Sequence, residues 1–349
     1  GLWASCWFKR SNRWFKYEGE KLIDYAKDII LNSNLSLRRN IDGFDFPTTM
    51  TYEDSERVVE IMRDIYPDQL ALLNEIDENT LNKLINDMVL SEDCTSKLAE
   101  IAVIFGDDYI ITINDRDHIA INYRNFDMDV KKAYKRVNEF EKELDQKLDF
   151  AFTPEFGYLT SDGRNNGAGL EVRLKMFLFA LVDAEESYYG FKQGLLSHGM
   201  YGTRYIPSYY DRYVDDIYLV KNFGNYRDDM DEYIQKFSGN IDSLVRNERR
   251  FRRDYQILNN ISDDDIIEQI AISLNNLNSR QLTSLNTIAS ELYNLKKYNK
   301  LGFNTDLTSN ELDYLIFNLT KNKYKGKKDP DRYEFLNSYM KERQWKLTD

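Results

Sequence analysis

A chain of 349 residues, 42% hydrophobic and 30% charged, is long enough for two or three domains and too apolar to be disordered. Sixteen glycines and five prolines exclude collagen-like and linker-type sequences. A net charge of −12, from 47 Lys+Arg against 59 Asp+Glu, argues against a nucleic-acid partner. The longest apolar run, Met176 to Val182, is far short of the roughly 18 residues that a membrane span needs, so no membrane partner is expected. Two cysteines, Cys6 and Cys94, make neither a disulfide framework nor a four-ligand zinc site and fit a reducing cytoplasm. With two histidines in the chain and no Cys or Glu beside them, no metal site is expected. Gly1 stands where Met would, which fits a fragment, a processed end or an added remnant.

Residues 1–95 read as a mainly helical lobe. Val58, Val59, Ile61, Met62 and Ile65 form a helical stripe, and Leu73, Ile76, Leu81, Leu84 and Ile85 continue it. Residues 96–257 carry the β signal. Ile101–Phe105, Tyr109–Ile113 and His118–Tyr123 are short apolar runs separated by Gly106-Asp107-Asp108 and Asn114-Asp115-Arg116-Asp117, the pattern of an antiparallel meander. Val130, Ala133, Val137, Phe140, Leu144 and Leu148 then recur as an amphipathic helix, and Gly169 to Val182 reads as a further strand followed by a helix. Residues 258–349 read as a helical bundle with Ser262, Ser279 and Thr308 or Ser309 as N-caps. These caps precede the stripes Ile266/Ile270/Leu274, Leu282/Leu285/Ile288/Leu292/Leu295 and Leu312/Leu315/Leu319; Lys321–Lys328 reads as a basic solvated loop. The expected fold class is α+β, an antiparallel sheet flanked by helices.

Several local strings occur in a telling order. Trp14-Phe15-Lys16 with Gly19 precedes Asp28-Ile29-Ile30-Leu31, and Asn114-Asp115-Arg116-Asp117-His118-Ile119 follows. Then come Leu148-Asp149-Phe150-Ala151-Phe152, Phe156-Gly157-Tyr158-Leu159-Thr160-Ser161, the trio Asn165, Gly167 and Gly169, and Gly199-Met200-Tyr201-Gly202. In this order they resemble the ATP:guanido phosphotransferases, or phosphagen kinases, and most closely the bacterial protein arginine kinases. The resemblance runs from Trp14 through nearly the whole chain. It implies the guanido kinase catalytic fold, ATP and Mg as cofactors of an active member, and a C-terminal helical domain that pairs two copies as a homodimer. It also implies partners in the Clp protease or arginine-kinase system.

The residues at the chemically important positions depart from the family. Against the family string Ser-Ser-Arg-x-Arg-Leu-Ala-Arg-Asn this chain reads Asn32-Ser33-Asn34-Leu35-Ser36-Leu37-Arg38-Arg39-Asn40, so Asn34 and Ser36 replace two phosphate-binding arginines. Three more such arginines correspond to Ala120, Glu171 and His198, and a nucleotide-site histidine corresponds to Met88. Family arginines grip polyphosphate because a guanidinium offers paired donors and does not deprotonate. At roughly 1.5–3 kcal/mol for each charged hydrogen bond, five losses threaten most of the about 8 kcal/mol of micromolar binding. On the guanidine side, Asp115 and Arg116 replace paired glutamates, with Arg116 at the catalytic one, while Asp117 and His118 are kept. Asp162 stands at the reactive-cysteine position, and of a phosphoarginine-recognising string only Arg332 remains.

The resemblance therefore implies a pseudokinase, needing no cofactor, that acts as a regulatory or binding module in protein quality control. The second reading is an active protein arginine kinase whose nucleotide is shifted along the 169–182 strand to Arg173, which shares a face with Glu171 and Lys175. A third, weaker reading is a kinase of a free guanidino metabolite. Asp117 and His118 also have a plain explanation as caps of a hairpin turn, and the glycines as positions of positive φ.

Overall fold

The computed structural model describes residues 26–124, 129–184, 188–205, 216–223, 229–279, 285–320, 334–336 and 338–339. Trp14–Lys16, Gly19, Leu282, the basic stretch 321–328 and Arg332 lie outside the described residues. Two compact units make up the chain. One comprises Gly1–Leu174, His198–Tyr201 and Lys221–Asn240; the other comprises Lys175–Ser197, Gly202–Val220 and Ile241–Asp349.

In chain order the elements are β1 (Ile30–Arg39), α1 (Tyr52–Ile65), β2 (Leu70–Leu72), α2 (Glu78–Asn86), β3 (Ala102–Phe105), β4 (Ile110–Ile113) and β5 (Ile119–Arg124). Next come α3 (Val130–Asp145), the hairpin β6 (Phe152–Thr153) and β7 (Gly157–Tyr158), β8 (Leu170–Phe177), α4 (Phe179–Ala184) and α5 (Tyr188–Ser197). Then follow β9 (Met200–Arg204), β10 (Ile217–Asn222), α6 (Met230–Arg253), α7 (Tyr255–Asn259), α8 (Asp263–Ser279), α9 (Leu285–Lys300) and α10 (Ser309–Thr320). Eight strands form one sheet in the order β2-β3-β4-β5-β1-β8-β10-β9. The expected meander is present as β3–β4–β5, with Ile113 opposite Ile119 across the Asn114–Asp117 turn.

Three expectations change. Residues 26–95 are not purely helical: β1 lies inside the sheet and β2 at its edge. Leu35 and Leu37 of β1 are its core-type residues, and Asn34, Ser36 and Arg38 alternate with them, so a strand buried on both faces has one polar face. Its sequence therefore carries no continuous apolar run. The strand expected over 169–182 ends at Phe177, and Phe179–Ala184 turns into a short helix, since an apolar run alone does not separate strand from buried helix. Ser279 ends α8 instead of capping the next helix, and its hydroxyl donates back to the Asn276 carbonyl at 2.9 Å.

In the first unit, Leu73, Leu84, Leu90, Ile101, Val103 and Ile110 belong to one apolar cluster. The helix α3 starts at Asp129, whose carboxylate accepts from Lys132 N–H at 2.9 Å. In the second unit, α9 packs on α8 and α10. The stripes Ile266/Ile270/Leu274, Ile288/Leu292/Leu295 and Leu312/Leu315/Leu319 are buried there. Ser262 caps α8, and Thr308 exchanges hydrogen bonds with Glu311 at the start of α10. No helix among the described residues is long and apolar enough to cross a membrane.

Glu248 is the buried polar anchor of the second unit. Its carboxylate accepts from Leu181 N–H at 2.7 Å and from Arg252 Nε at 2.7 Å, and burial pushes its carboxyl above the usual range. Removing one partner of such a pair is costly. Glu248→Ala is expected to lower stability by about 3–5 kcal/mol in urea unfolding, against about 0.5 kcal/mol or less for the exposed Ile257→Ala.

Candidate functional site

The sheet order places β1 between β5 and β8, and this gathers most of the predicted positions. On β1, Asn34, Ser36 and Arg38 share one face and stand opposite Arg124, Asn122 and Ala120 of β5. On the other side, Arg38 N–H donates to Gly169 O at 2.8 Å, and Ser36 Oγ lies 3.5 Å from the Glu171 carbonyl oxygen. Gly169 is required here. It has φ +67°, and a Cβ would meet Arg38 O and Arg39 Nη1 at 2.5 Å each.

Asn34 and Ser36 are both buried. Asn34 Nδ2 donates to Met88 O and to Asn122 Oδ1, each at 2.9 Å. Met88 thus meets the cluster through its carbonyl, presented by a backbone with φ 60° just after α2. Ala120 is buried and brings no polar side chain. His198 is exposed, and its carbonyl accepts from Asn240.

Glu171 is the centre of the charge network. Its carboxylate is 2% exposed and is held by Arg38 through Nε at 2.7 Å and Nη2 at 2.6 Å. Lys221 Nζ lies 3.3 Å away and Arg173 Nε 3.5 Å away. Arg38 also donates through Nη1 to Asp117 at 3.2 Å. Burial opposes the charge on Glu171, but Arg173, Arg38, Lys221 and Arg116 outweigh it and hold the carboxyl well below its ordinary value. Burial lowers the Arg173 guanidinium to about 10 despite Glu171 beside it, and it lowers Lys221 as well.

Asp117 and His118 hold the backbone together. The Asp117 carboxylate accepts from Asn40 Nδ2 at 2.8 Å and from Ser161 N–H at 2.7 Å. His118 Nδ1 accepts from Ile41 N–H at 3.0 Å, so Nε2 carries the proton toward Asp45 O. Its ring lies edge-on to Phe44 and Phe46, and burial lowers its pKa. These two side chains therefore tie separate loops, which is more than capping one turn. Asp115 accepts from Ser91 N–H at 2.9 Å and from Ser91 Oγ at 2.5 Å, whereas Arg116 is exposed. Asp162 is paired with Arg164, whose Nε and Nη2 reach it at 2.9 and 2.7 Å. That bond, with the Arg164 N–H, lowers the Asp162 pKa.

Arg38, Lys221 and Tyr201 complete the cluster and were not singled out as site residues from the sequence. Arg38 was legible in principle, because it follows Asn34 and Ser36 in steps of two. Lys221 and Tyr201 depend on strand order, which no local pattern reveals. Lys175, expected on the same face, places its ammonium over the Tyr205 ring at 4.2 Å. Among the described residues no group of three or more His, Cys, Asp or Glu is arranged to hold a metal ion. A magnesium triphosphate does not fit this set. Asn34, Ser36, Ala120 and Glu171 supply no cation, and Arg38 and Lys221 already face Glu171.

Residues 53–251 match the family model described as ATP:guanido phosphotransferase, C-terminal catalytic domain. A protein-arginine kinase of Symbiobacterium thermophilum is 28% identical over 216 residues, covering 57% of this chain and 60% of that relative. A protein-arginine kinase of Staphylococcus haemolyticus is 25% identical over 297 residues, covering 81% of this chain and 85% of the relative. Among solved structures, the duplicated taurocyamine kinase from Schistosoma mansoni with bound transition-state-analogue components is similar in fold. It has a TM-score of 0.56 and 18% identity, covering 76% of this chain and 40% of that one.

Because Glu171 is depressed in the folded state, its contribution is present above the ordinary carboxylate pKa of 4.5 and is lost as pH falls through the lower folded value. Glu171→Gln should be destabilised most near neutral pH, and the gap to the parent should close on acidification below about 4.5. Urea unfolding at several pH values measures this; a gap that is constant with pH would contradict it.

Proposed function

The chain belongs to the ATP:guanido phosphotransferase family, and on that premise we propose that it is a protein-arginine-kinase-like member with impaired phosphoryl transfer, acting as a binding or regulatory module. The observation that carries this reading is Glu171 held by Arg38 and flanked by Lys221 and Arg173. Phosphoryl transfer relies on positioning and on neutralising phosphate charge. Here the place that the family resemblance assigns to a phosphate-binding arginine holds a carboxylate. Arg38 is already engaged by this built-in anion, and a phosphate in that same place would meet like charge.

The guanidine side supports the same reading. Arg116 puts an exposed cation where the resemblance places a catalytic glutamate, and it repels an incoming guanidinium. Asp115 is committed to Ser91. Asp162, engaged by Arg164, offers no thiolate. A role beside a protein arginine kinase, in protein quality control with Clp-type partners, is part of this proposal as the family resemblance implies it. A homodimer through the C-terminal helices and a cytoplasmic location belong to the same proposal. A second reading, an active protein arginine kinase using a nucleotide shifted along β8, is favoured by one feature: Arg173 has buried nitrogens without hydrogen-bond partners among the described residues.

Calorimetry with ATP and magnesium separates the two. The impaired-kinase reading expects no binding tighter than about millimolar, roughly 4 kcal/mol. A low-micromolar constant would overturn it. Restoring family residues tests the cause. Glu171→Arg alone sets a fourth cation beside Arg38, Arg173 and Lys221 and should destabilise the fold without giving affinity. Asn34→Arg, Ser36→Arg, Ala120→Arg, Glu171→Arg and His198→Arg combined with Arg38→Ala should give affinity, because residues acting as a unit are non-additive.

A further inference from the structure

The clasp around Glu171 leaves one guanidinium edge open. Arg38 uses Nε and Nη2 on Glu171, and Arg164 uses the same two nitrogens on Asp162. The corresponding Nε and Nη2 of Arg173 are buried and have no hydrogen-bond partner among the described residues, although the side chain is only 5% exposed. The nearest carboxylate oxygen, Glu171 Oε2, is 3.5 Å from Nε and is already taken by Arg38. The Tyr201 hydroxyl is also buried without a partner among the described residues. Tyr201 is within electrostatic reach of both Glu171 and Arg173, and the Lys221 ammonium lies 5.9 Å from its ring centre.

Charge points the same way. Arg38, Arg173 and Lys221 are three largely buried cations, and Glu171 and Asp117 are the two buried carboxylates that they contact. These contacts leave one positive charge over, and Arg116 and Asp115 act on Arg173 with opposite signs. Buried donors without acceptors are costly. Burial holds Arg173 at about 10 despite Glu171 beside it and pushes Tyr201 up to about 12, the directions expected of a cation and a phenol kept from water.

We propose that Arg173, Tyr201 and Lys221 form a binding site for a small tetrahedral oxyanion, a phosphate or the phosphoryl group of a monoester. The open guanidinium edge supplies two parallel donors, the phenol a third, and the ammonium a point charge. A phosphoryl group has oxygens enough for all of them, and a carboxylate has fewer. None of the three side chains stands at a position where the family resemblance places a phosphate-binding arginine. The site extends the reading of the chain as a binding module, and a nucleotide titration tests that reading separately.

The experiment titrates inorganic phosphate into the full chain by calorimetry and thermal unfolding, with chloride and acetate at matched ionic strength and phenyl phosphate as the monoester. The expected result is saturable one-site binding of phosphate with a rise in Tm that chloride and acetate do not reproduce. Phenyl phosphate binding tighter than phosphate identifies an esterified ligand, and the reverse order identifies the free ion. Arg173→Met should weaken phosphate at least about tenfold, because it removes the guanidinium edge whose nitrogens lack hydrogen-bond partners among the described residues. Tyr201→Phe should weaken binding several-fold while leaving the anion-free Tm unchanged or higher. Phosphate acting no differently from chloride overturns the site, as does undiminished binding in both variants. If Arg173→Met does not fold, Tyr201→Phe decides. Loss of the phosphate effect with ATP still weak removes this site alone, whereas tight ATP binding with arginine phosphorylation removes the impaired-kinase reading.

Discussion

A carboxylate buried at the middle of a sheet is tolerated only when cations are brought to it, and Glu171 on β8 is such a group. Arg38 reaches it from the neighbouring strand β1 and extends the same guanidinium to Asp117 in the turn before β5. Two strands and a turn are thus tied by one side chain. Asp117 carries the tie on to Asn40 and to Ser161. Register, charge and loop geometry depend together on that pair, so a change at Glu171 is felt from β5 to the 159–162 segment.

The backbone features that the family resemblance rests on survive around this altered centre. Gly157, Gly167 and Gly169 have positive φ as expected, and Gly169 is pressed against Arg38 and Arg39. Asn40, Asp117 and His118 keep a hydrogen-bonded corner that needs no substrate to justify it. The side chains facing a would-be nucleotide are what differ. A fold can be kept while such side chains change, because the turns and core are set by sterics and burial, whereas phosphate affinity is set by a few charges.

Much of the architecture could be read from periodicity. The β3–β4–β5 meander and α3 follow directly from alternation and from the three-to-four spacing. The buried stripes of α8, α9 and α10 do too. β1 was hidden because Asn34, Ser36 and Arg38 make its second face polar, and such a segment reads as a loop until its partners are known. The run from Phe177 to Val182 was ambiguous because apolar residues alone do not distinguish a strand from a buried helix turn. For the site, resemblance identified Asn34, Ser36, Ala120 and Glu171, and the sheet does bring them together; His198 is exposed at the start of the β9 region. The meaning of Glu171 was not legible. From sequence it is a repelling carboxylate. In the fold it is an internal counter-ion, a role that depends on Arg38 across one strand and Lys221 across another.

On the proposed reading, Glu171 holds the cations that phosphoryl transfer would need. The most direct measurement is transfer of label from γ-labelled ATP, with magnesium, to an arginine-rich protein in the presence of the full chain, using acid lability to separate phosphoarginine from phosphoserine. No acid-labile label above a control lacking the chain is expected. Acid-labile label that accumulates with time and disappears in Arg173→Met would contradict it and establish a working nucleotide site on β8.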